Sequence, residues 1–545
     1  MSAAAATAVD LPRLIRRREL LIGAAVTAII AALVLGFGPE PGDAAVHLYR
    51  TYLVRHGILV WDNYSYAGWY PLASYSLLYY LPSAVVGNLP LVFGAAVAST
   101  VLFSSIAMRE WGRAALWPSR VFGVLAAAPM FTGLYAYSLG FTAMLATLKL
   151  LQLRRPKIAV LTAILTVGFS PLAFAFLCLI VVSYAVAQRR LERRYLIIGI
   201  GLAVSAAIEG AALIAFRSDA GIYPFHWIDF LGVMVVSALG VLVARHARGA
   251  APLTAFFALW GLGSVLFYVV PSPFGDNWTR LGAFVLPVML LTASLAGFRP
   301  RRLILLALAC AFTYNLVPYF LLIPSRLHSE AQQQVFWKPA LGFLRTHDVP
   351  GYRVEVVPTA AHWEADRIPK AGFPLARGWY RQIDEVDNSI LYSKDLDAAS
   401  YVAWLRSAAV RYVLLTPTVP LDWDGGPREA EIVQSRAAGL TLVFHSKNWL
   451  IYELPHPTPL LTGPGNPVVS AFGHTVTRGS VSTAGRYLLR EHYIPYWHLT
   501  GAGCVARGPN DMTVLNLTRP GPFSLAAPRT PMQLVGAKHT NCLSD

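Results

Sequence analysis

Long apolar stretches constrain this chain more than any other feature of its sequence. The hydrocarbon core of a bilayer is about 30 Å thick, so a transmembrane helix needs about 20 consecutive apolar residues. By that criterion the sequence predicts about eleven spans, some of them short. They cover roughly 20–38, 89–108, 115–133, 137–153, 157–169, 171–188, 195–215, 228–245, 252–270, 281–297 and 303–323. Because 14% of the residues are charged, against about 25% in soluble proteins, we expect a polytopic α-helical membrane domain.

Basic residues stand in short clusters between these stretches. The clusters are Arg13, Arg16, Arg17 and Arg18; Arg154, Arg155 and Lys157; Arg189, Arg190, Arg193 and Arg194; and Arg299, Arg301 and Arg302. Clusters of this kind mark the cytoplasmic ends of membrane helices. The formal charge of +16 therefore indicates orientation in a membrane and argues against a nucleic-acid partner. The N-terminus is predicted to be cytoplasmic, and the odd number of spans places residues 324–545 outside the cell.

The sequence divides into three predicted domains. Residues 1–323 form the membrane domain, residues 324–457 an extracytoplasmic α/β domain, and residues 458–545 an extracytoplasmic β-rich domain of the sandwich or jelly-roll type. In the second domain, "YVAWLRSAAV" has helical spacing, "RYVLLTP" is typical of a buried strand, and "LTLVFHSKNWLIYELP" is typical of a hairpin. In the third, short strand-like runs are separated by Gly and Pro.

Two of the four cysteines lie in the polar C-terminal part of the chain. If that part is outside the cell, where conditions are oxidising, we expect Cys504 and Cys542 to form a disulfide. Cys178 and Cys310 lie in apolar stretches and are expected to be buried thiols. The cysteine spacing matches no metal site, and the sequence predicts no metal ligands.

Three titratable residues follow the first apolar stretch directly. In a helix, Asp43, His47 and Arg50 would share one face, because they are separated by four and then three positions. The aromatic stretch at 61–82, which contains Trp69, is predicted to lie along the membrane surface and to wall a cavity. A lone aspartate is usually a cap or a solvated loop acid. The shared face and the aromatic stretch instead favour a functional site at Asp43, with His47 and Arg50 as candidate donor-phosphate or substrate-binding residues and Trp69 as a candidate glycan contact.

The segment "PSPFGDNWTRLG", at 271–282, is a second candidate site. It places Asp276, Asn277 and Arg280 where a helix is predicted to begin. A guanidinium and a helix N-terminus both favour the binding of phosphate, so Asn277 and Arg280 are candidate phosphate ligands. The alternative is an ordinary helix cap beside an arginine that reaches the membrane interface.

The segment at 353–388 is rich in aromatic and charged residues. Indole faces stack on sugar rings, and carboxylates and guanidinium groups form hydrogen bonds with sugar hydroxyls. The candidate glycan contacts are Trp363, Glu364, Arg377, Trp379 and Arg381, with His362 and Asp384 in the same segment. The alternative is the salt-bridged surface of an ordinary domain.

An acid just outside the first span, followed by an aromatic outer loop, resembles the GT-C class of integral-membrane glycosyltransferases. More closely, "GDAAVHLYR", "YAGWYPLASYSLLYY", "FTGLYAYSLG", "PFGDNWTRLG", "LARGWYRQID" and "VRYVLL" resemble a bacterial multi-span group, the 6-pyruvoyl-tetrahydropterin synthase-related or YfhO-like membrane proteins. The resemblance implies a plasma-membrane enzyme that uses a polyprenyl-phosphate-linked sugar, with Asp43 as the base and Arg280 as a ligand of the donor phosphate. Many GT-C enzymes carry a second acid beside the base, where this chain has Ala44. No cofactor is indicated, and use of a divalent cation stays open.

Three functions are compatible with the sequence. The first is transfer of a sugar from a polyprenyl-phosphate donor to a cell-envelope glycan or lipid on the outer face, and a single base without a nucleophile favours inversion. The second is transport or flipping of lipid-linked glycans, for which Glu209 inside a span is the clearest candidate residue. The third is a non-catalytic envelope scaffold that binds glycan through its outer domain.

Overall fold

The computed structural model describes residues 11–72, 76–188, 192–216, 221–326, 329–347, 349–435, 437–534 and 540–542. The chain divides into two compact units. Met1–Pro41 and Ser74–Leu327 form the first, here the helical unit, and Gly42–Ala73 and His328–Asp545 form the second, here the mixed unit. This grouping differs from the predicted membrane domain, 1–323, because residues 42–73 belong with the C-terminal part. The predicted division near residue 457 stays a prediction.

Helices α2 and α15–α20 belong to the mixed unit, and the others belong to the helical unit. In chain order they are α1 (Arg13–Phe37), α2 (Ala44–Arg55), α3 (Tyr80–Val86), α4 (Asn88–Trp111), α5 (Leu116–Leu125), α6 (Ala128–Thr132), α7 (Tyr135–Gln152), α8 (Pro156–Phe169), α9 (Pro171–Ala187), α10 (Arg193–Ala215), α11 (Trp227–Ala244), α12 (Ala251–Val269), α13 (Val285–Leu295), α14 (Arg301–Arg326), α15 (Gln334–His347), α16 (Glu364–Lys370), α17 (Arg381–Asp387), α18 (Ala398–Ser407), α19 (Gly426–Gln434) and α20 (Pro531–Leu534). A 3-10 helix, Gly275–Phe284, precedes α13.

Seven helical segments within the described chain are long and apolar enough to cross a membrane. They are Arg13–Phe37, Asn88–Thr132, Arg193–Ala215, Trp227–Ala244, Ala251–Val269, Gly275–Leu295 and Arg301–Pro318. The second of these contains two predicted spans, and α8 and α9 are shorter apolar helices. The predicted span at 137–153 is helical, as α7, but its tyrosines, Lys149 and Gln152 make it less apolar. The chain is thus a multi-pass membrane protein, while the number of crossings and their orientation stay predictions.

The predicted basic clusters coincide with the ends of helices. Arg13 begins α1, Arg154 and Arg155 lie between α7 and α8, and Arg301 begins α14. Arg189 and Arg190 lie outside the described residues. A charged side chain at a helix end avoids the cost of placing it in hydrocarbon, which is why such clusters separate apolar helices.

Aromatic and small residues pack the interior of the helical unit. The ring of Phe284 stacks on those of Phe141 and Phe122, with centroids 4.4 and 5.1 Å away. The hydroxyl of Thr27, on α1, donates to the backbone carbonyl of Gly123 at 2.8 Å. Such close backbone approach at small residues is typical of helices that associate in membranes.

The strands found in the described residues all lie in the mixed unit. They are β1 (Arg353–Val356), β2 (Val410–Leu415), β3 (Thr441–His445), β4 (Leu450–Glu453), β5 (Leu461–Thr462), β6 (Val468–Phe472), β7 (Val476–Val481), β8 (Gly485–His492), β9 (His498–Thr500), β10 (Gly503–Arg507), β11 (Met512–Leu517) and β12 (Gly521–Ala526). A four-stranded mixed sheet holds β1–β4, and two four-stranded antiparallel sheets hold the others.

The mixed sheet has the strand order β1-β2-β4-β3, with β1 and β2 parallel and the other pairs antiparallel. Successive residues of a strand point to opposite faces. On β2, Val413 packs in a cluster with Tyr401 and Leu405 of α18. The ring of Tyr412 instead meets Phe343 of α15, with centroids 5.3 Å apart. Helices therefore cover both faces, and the helix, strand and hairpin predicted for this region are confirmed.

The two antiparallel sheets, β10-β11-β8-β5 and β6-β7-β12-β9, share one core. Burial alternates along β7 and β8, as expected when one face of each sheet meets the other. Leu489 of β8, Leu515 of β11 and Leu525 of β12 meet there with Trp497. The predicted β-rich region is confirmed as a sandwich.

A disulfide joins Cys504 of β10 to Cys542, as predicted. The backbone N–H of Cys542 donates to the carbonyl of Val505 at 2.9 Å, so the C-terminal segment pairs with β10. This pairing covers a sheet edge, and open edges favour aggregation. Cys178 and Cys310 are free thiols and are half-buried.

The first part of the aromatic stretch after α2 is buried inside the mixed unit. Trp61 is 2% exposed, and its ring lies 6.0 Å from that of Trp497 in the sandwich core. Gly68 has a φ of 101°, and a Cβ there would lie 2.2 Å from the ring of Trp61, so the turn requires glycine. The prediction that the stretch lies along the membrane surface is therefore wrong for 61–72, because its aromatic side chains build a protein core. Residues 73–75 lie outside the described part.

Candidate functional site

The candidate site lies in the mixed unit at the end of β1. The backbone N–H of Ala360 donates to the carbonyl of Pro420 at 2.9 Å, which ties the turn after β1 to the loop after β2. The N–H of Ala376 donates to the carbonyl of Val354, also at 2.9 Å. These bonds hold the side chains that follow β1 next to those that follow Ala376.

The structure brings Asp43 together with residues more than 300 positions away. Asp43 directly precedes α2 and is partly exposed. Trp379 Nε1 donates to Asp43 Oδ1 at 3.3 Å. The imidazole of His362 stacks on the Trp379 indole with centroids 3.2 Å apart, and its Nδ1 lies within hydrogen-bond distance, 3.2 Å, of Glu364 Oε1. His362 has a φ of 55°, a left-handed conformation that non-glycine residues adopt mainly at constrained sites.

Arg377 is the centre of a buried ion cluster. Its Nη2 donates to Glu355 Oε1 at 2.6 Å and to Glu429 Oε2 at 2.7 Å. Its Nη1 lies 3.5 Å from Asp384 Oδ2. These four side chains are at most 5% exposed, so one guanidinium faces three carboxyl groups in a region shielded from water.

Burial changes the protonation of this cluster. It raises the pKa of Glu355 well above its usual range, because desolvation outweighs the attraction of Arg377 and the charge of Glu429 adds to the rise. Burial also raises the pKa of Glu429, against the opposing effect of Arg377. Since the two neighbouring carboxyl groups share one cation, we expect the pair to hold a proton more tightly than the same groups would in water.

A small pocket of about 10 Å³, which has room for about one water molecule, lies between the His362–Trp379 stack and the ion cluster. Its walls include Glu355, Glu364 and Asp384. The carboxyl groups and the imidazole around this space are hydrogen-bond partners for a single small polar group, such as a hydroxyl that reaches in from outside. In the described parts of the chain, no group of three or more His, Cys, Asp or Glu residues is arranged to hold a metal ion.

The other residues predicted near Asp43 are interior to the mixed unit. The guanidinium of Arg50 is buried, 4.5 Å from the ring centroid of Trp69 and 5.4 Å from that of Tyr380. Trp69 is 7% exposed and its Nε1 donates to Asp62 Oδ2 at 3.1 Å. His47 is buried as well. Substrate binding by His47 and Arg50, and glycan contact by Trp69, stay predictions.

The predicted glycan contacts after β1 separate into two groups. Trp363, Glu364 and Arg377 are buried, whereas Trp379 and Arg381 are partly exposed. Trp363 is an interior residue, as expected if this segment belongs to an ordinary domain, while Glu364 and Arg377 line the pocket.

Asn277 and Arg280 lie in the helical unit, on the 3-10 helix that begins at Gly275. Asn277 Nδ2 donates to the carbonyl of Pro273 at 3.1 Å, and Arg280 is partly exposed. Their role as phosphate ligands stays a prediction. Glu209, the residue of the transport hypothesis, is buried on α10.

Sequence reasoning missed Glu355, Glu429 and Trp423. Glu355 stands inside a strand whose residues are all buried, and a charge within a buried strand is a signal that was available. Glu429 carries no such signal, since α19 is a polar helix. Trp423 is 71% exposed and lies between two aspartates.

No family model matches the chain, and no curated protein matches it in sequence. Among solved structures it is similar to the arabinofuranosyltransferase AftD from mycobacteria, with 16% identity over 86% of this chain and 41% of that chain and a TM-score of 0.43. A mutant of that enzyme has 13% identity over 96% of this chain and 60% of that chain, with a TM-score of 0.48. An oligosaccharyltransferase from Archaeoglobus fulgidus has 10% identity over 72% of this chain and 68% of that chain, with a TM-score of 0.37. The chain thus spans less than two thirds of the mycobacterial chains, and the backbone agreement is partial.

Proposed function

We propose that the chain is a membrane glycosyltransferase that transfers a sugar from a polyprenyl-phosphate donor to a cell-envelope glycan or lipid on the extracytoplasmic face. The observation that carries this proposal is the setting of Asp43. Its carboxylate is partly exposed, and Trp379 fixes Oδ1. Among the described residues no further hydrogen bond engages this carboxylate, so Oδ2 is available to a substrate hydroxyl.

Asp43 acts as the general base. It takes the proton of the acceptor hydroxyl while that oxygen bonds to the anomeric carbon of the donor sugar. The bond from the anomeric carbon to the phosphate oxygen breaks, and the phosphate leaves with the electron pair. A carboxylate held by a single indole N–H keeps its orientation without being neutralised, which suits a base. A single displacement of this kind inverts the anomeric centre.

The donor has an apolar tail and an anionic phosphate, and the two need different surroundings. The tail suits the helical unit, whose exposed side chains include many of Leu, Ile and Val. Arg280 and Asn277 of the helical unit are the proposed phosphate ligands, because cationic donors stabilise the charge on a leaving phosphate. His47 and Arg50 of the mixed unit stay candidate substrate-binding residues. The bacterial plasma membrane, an external mixed unit and membership of the GT-C and pterin-synthase-related groups are parts of the same proposal.

The test is a complementation experiment. The gene is deleted, and envelope glycans and glycolipids are profiled by mass spectrometry. Wild type or Asp43→Asn is then restored at matched membrane levels. We expect one glycan to lose a sugar on deletion and only the wild type to restore it, because an amide cannot accept the proton. Asp43→Asn is expected to fold normally, since Asp43 is partly exposed.

Asp395→Asn is the matched control, because it makes the same change at an exposed acid of the mixed unit. It should restore the profile fully. If Asp43→Asn also restores the profile, Asp43 is not a catalytic base, and the scaffold or transport hypothesis takes precedence. If the Asp43 variant fails to accumulate in the membrane, its role is structural.

A further inference from the structure

An exposed indole projects from the loop between β2 and α19. Trp423 is 71% exposed, although a tryptophan is among the residues that gain most from burial. The guanidinium of Arg381 lies 5.1 Å from its ring centroid and 5.2 Å from that of Trp379. Arg381 therefore joins the exposed indole to the one that contacts the proposed base.

Ion pairs and backbone bonds fix this arrangement. Arg381 Nη2 donates to both carboxylate oxygens of Asp422 at 2.7 and 2.9 Å, and Nη1 donates to Asp424 Oδ2 at 3.3 Å. The N–H of Asp422 donates to the carbonyl of Pro358 at 2.8 Å, which ties the loop to the turn after β1. A preordered surface loses less entropy on binding a ligand than a flexible one.

We propose that Trp423, Arg381 and Asp424 form a binding subsite for a neutral sugar unit of the glycan acceptor, an inference that rests on the proposed function. One face of a sugar ring presents C–H bonds with partial positive charge, and these favour the electron-rich face of an indole. The guanidinium N–H groups and the half-exposed carboxylate of Asp424 supply a donor and an acceptor for the ring hydroxyls.

The charges of the subsite select a neutral ligand. One guanidinium is paired with two carboxylates, Asp422 and Asp424. An acidic sugar or a phosphate would meet excess negative charge, because the cation is already neutralised. The subsite therefore fits a sugar of the acceptor and not the phosphate of the donor.

The same charges argue against a membrane anchor. Tryptophan is common at membrane interfaces, but there it is accompanied by lysine and arginine, which attract anionic lipids. Trp423 stands between two aspartates, and moving those carboxylates into a lipid headgroup layer is unfavourable. A soluble, uncharged, hydroxyl-rich ligand is the occupant that matches both the indole and its neighbours.

The test measures binding without turnover. The full chain in nanodiscs is titrated with short oligosaccharides of glucose, mannose, galactose or arabinose, and binding is followed by saturation-transfer NMR. We expect at least one to bind the wild type. Trp423→Ala should weaken its Kd about tenfold or more, as loss of a central aromatic contact does. Trp423→Phe should recover much of that affinity because it keeps a flat ring.

Trp117→Ala, in the helical unit, is the control for removing an exposed tryptophan beside an arginine, because Trp117 is 64% exposed and its ring centroid lies 4.8 Å from the guanidinium of Arg120. It should bind like the wild type. The proposal is overturned if no neutral oligosaccharide binds, if Trp423→Ala binds normally, or if uronic-acid oligosaccharides bind more tightly. Brominated lipids that quench the part of the tryptophan fluorescence that Trp423→Phe removes would also overturn it, in favour of a membrane anchor.

The two proposals fail separately. Asp43→Asn should bind the same oligosaccharide as the wild type while losing complementation, since Asp43 is not part of the subsite. If binding depends on Trp423 but the Asp43 variant still complements, the subsite is retained and Asp43 is excluded as the catalytic base. If complementation depends on Asp43 but Trp423→Ala binds normally, the transferase proposal is retained and the subsite is excluded.

Discussion

Asp43 and Arg377 illustrate two uses of charge in the mixed unit. Asp43 is partly exposed and holds one hydrogen bond from Trp379, so its charge is solvated and available for chemistry. Arg377 is buried among three carboxyl groups, where each charge has lost its water and must be compensated by the others. The sequence identified both residues as candidates, but their different burial depends on contacts between distant segments and was not predictable.

Replacing Arg377 by methionine should destabilise the mixed unit. The change leaves Glu355, Glu429 and Asp384 buried without their cation, and breaking a buried ion pair in this way costs about 3–5 kcal/mol. Thermal unfolding and protease resistance of the full chain in detergent would measure the loss. Arg428→Met is the control, since Arg428 pairs with Glu431 at the surface and such pairs contribute less than about 1 kcal/mol. Normal stability with lost glycan binding would instead support the predicted glycan contact.

At the scale of elements, the segment 42–73 shows where sequence reasoning fails. An amphipathic aromatic pattern is the same whether its apolar face meets lipid or protein. Asp62 decides the matter, because it is fully buried and accepts hydrogen bonds from Tyr49 at 2.8 Å and Trp69 at 3.1 Å. Its other oxygen lies 2.7 Å from Nδ1 of His474, next to β7. The partner of a buried acid is not encoded locally, so the pattern alone could not place the segment.

Strands β1 and β8 are linked by a buried pair, Arg353 and Glu491, both at most 1% exposed. Burial raises the pKa of Glu491 to about 8, although Arg353 opposes the rise. The folded chain therefore keeps a proton that the unfolded chain releases above its ordinary pKa of 4.5. Folding takes up a proton between these values, so this contribution to stability is complete at low pH and declines as the pH rises toward about 8.

Comparison with Glu491→Gln isolates that contribution, because glutamine does not titrate. The free energy of unfolding of the wild type, relative to the variant, should fall as the pH rises from about 4.5 to about 8. For Asp397→Asn, the free energy of unfolding of the wild type relative to the variant should instead rise with pH. The backbone N–H of Ser400 lowers the pKa of Asp397 at the start of α18, so its contribution is lost on acidification. Parallel profiles for wild type and Glu491→Gln would mean that Glu491 is ionised in the folded protein.

For the whole molecule, the sequence predicted what depends on local composition. Apolar stretches became helices, alternating runs became the sandwich, and Cys504 and Cys542 were paired. The grouping of 42–73 with the C-terminal part was not predicted, because a contact such as that of Asp43 with Trp379 joins positions 336 apart. Hydrophobic periodicity contains no information about which distant segments meet. The sequence therefore predicted candidate residues such as Asp43 and Trp379 separately, and only the structure shows that these two are in contact.

The disulfide also allows the proposed orientation in the membrane to be tested. Disulfides persist in oxidising compartments, and the basic clusters independently favour an external mixed unit. In intact cells, a membrane-impermeant maleimide should label neither Cys504 nor Cys542 until an impermeant reductant is added, after which it should label both. A variant with both changed to alanine controls for Cys178 and Cys310, the free thiols. Labelling before the reductant is added would exclude the disulfide in cells. Labelling that occurs only after the cells are broken open would place the mixed unit in the cytoplasm.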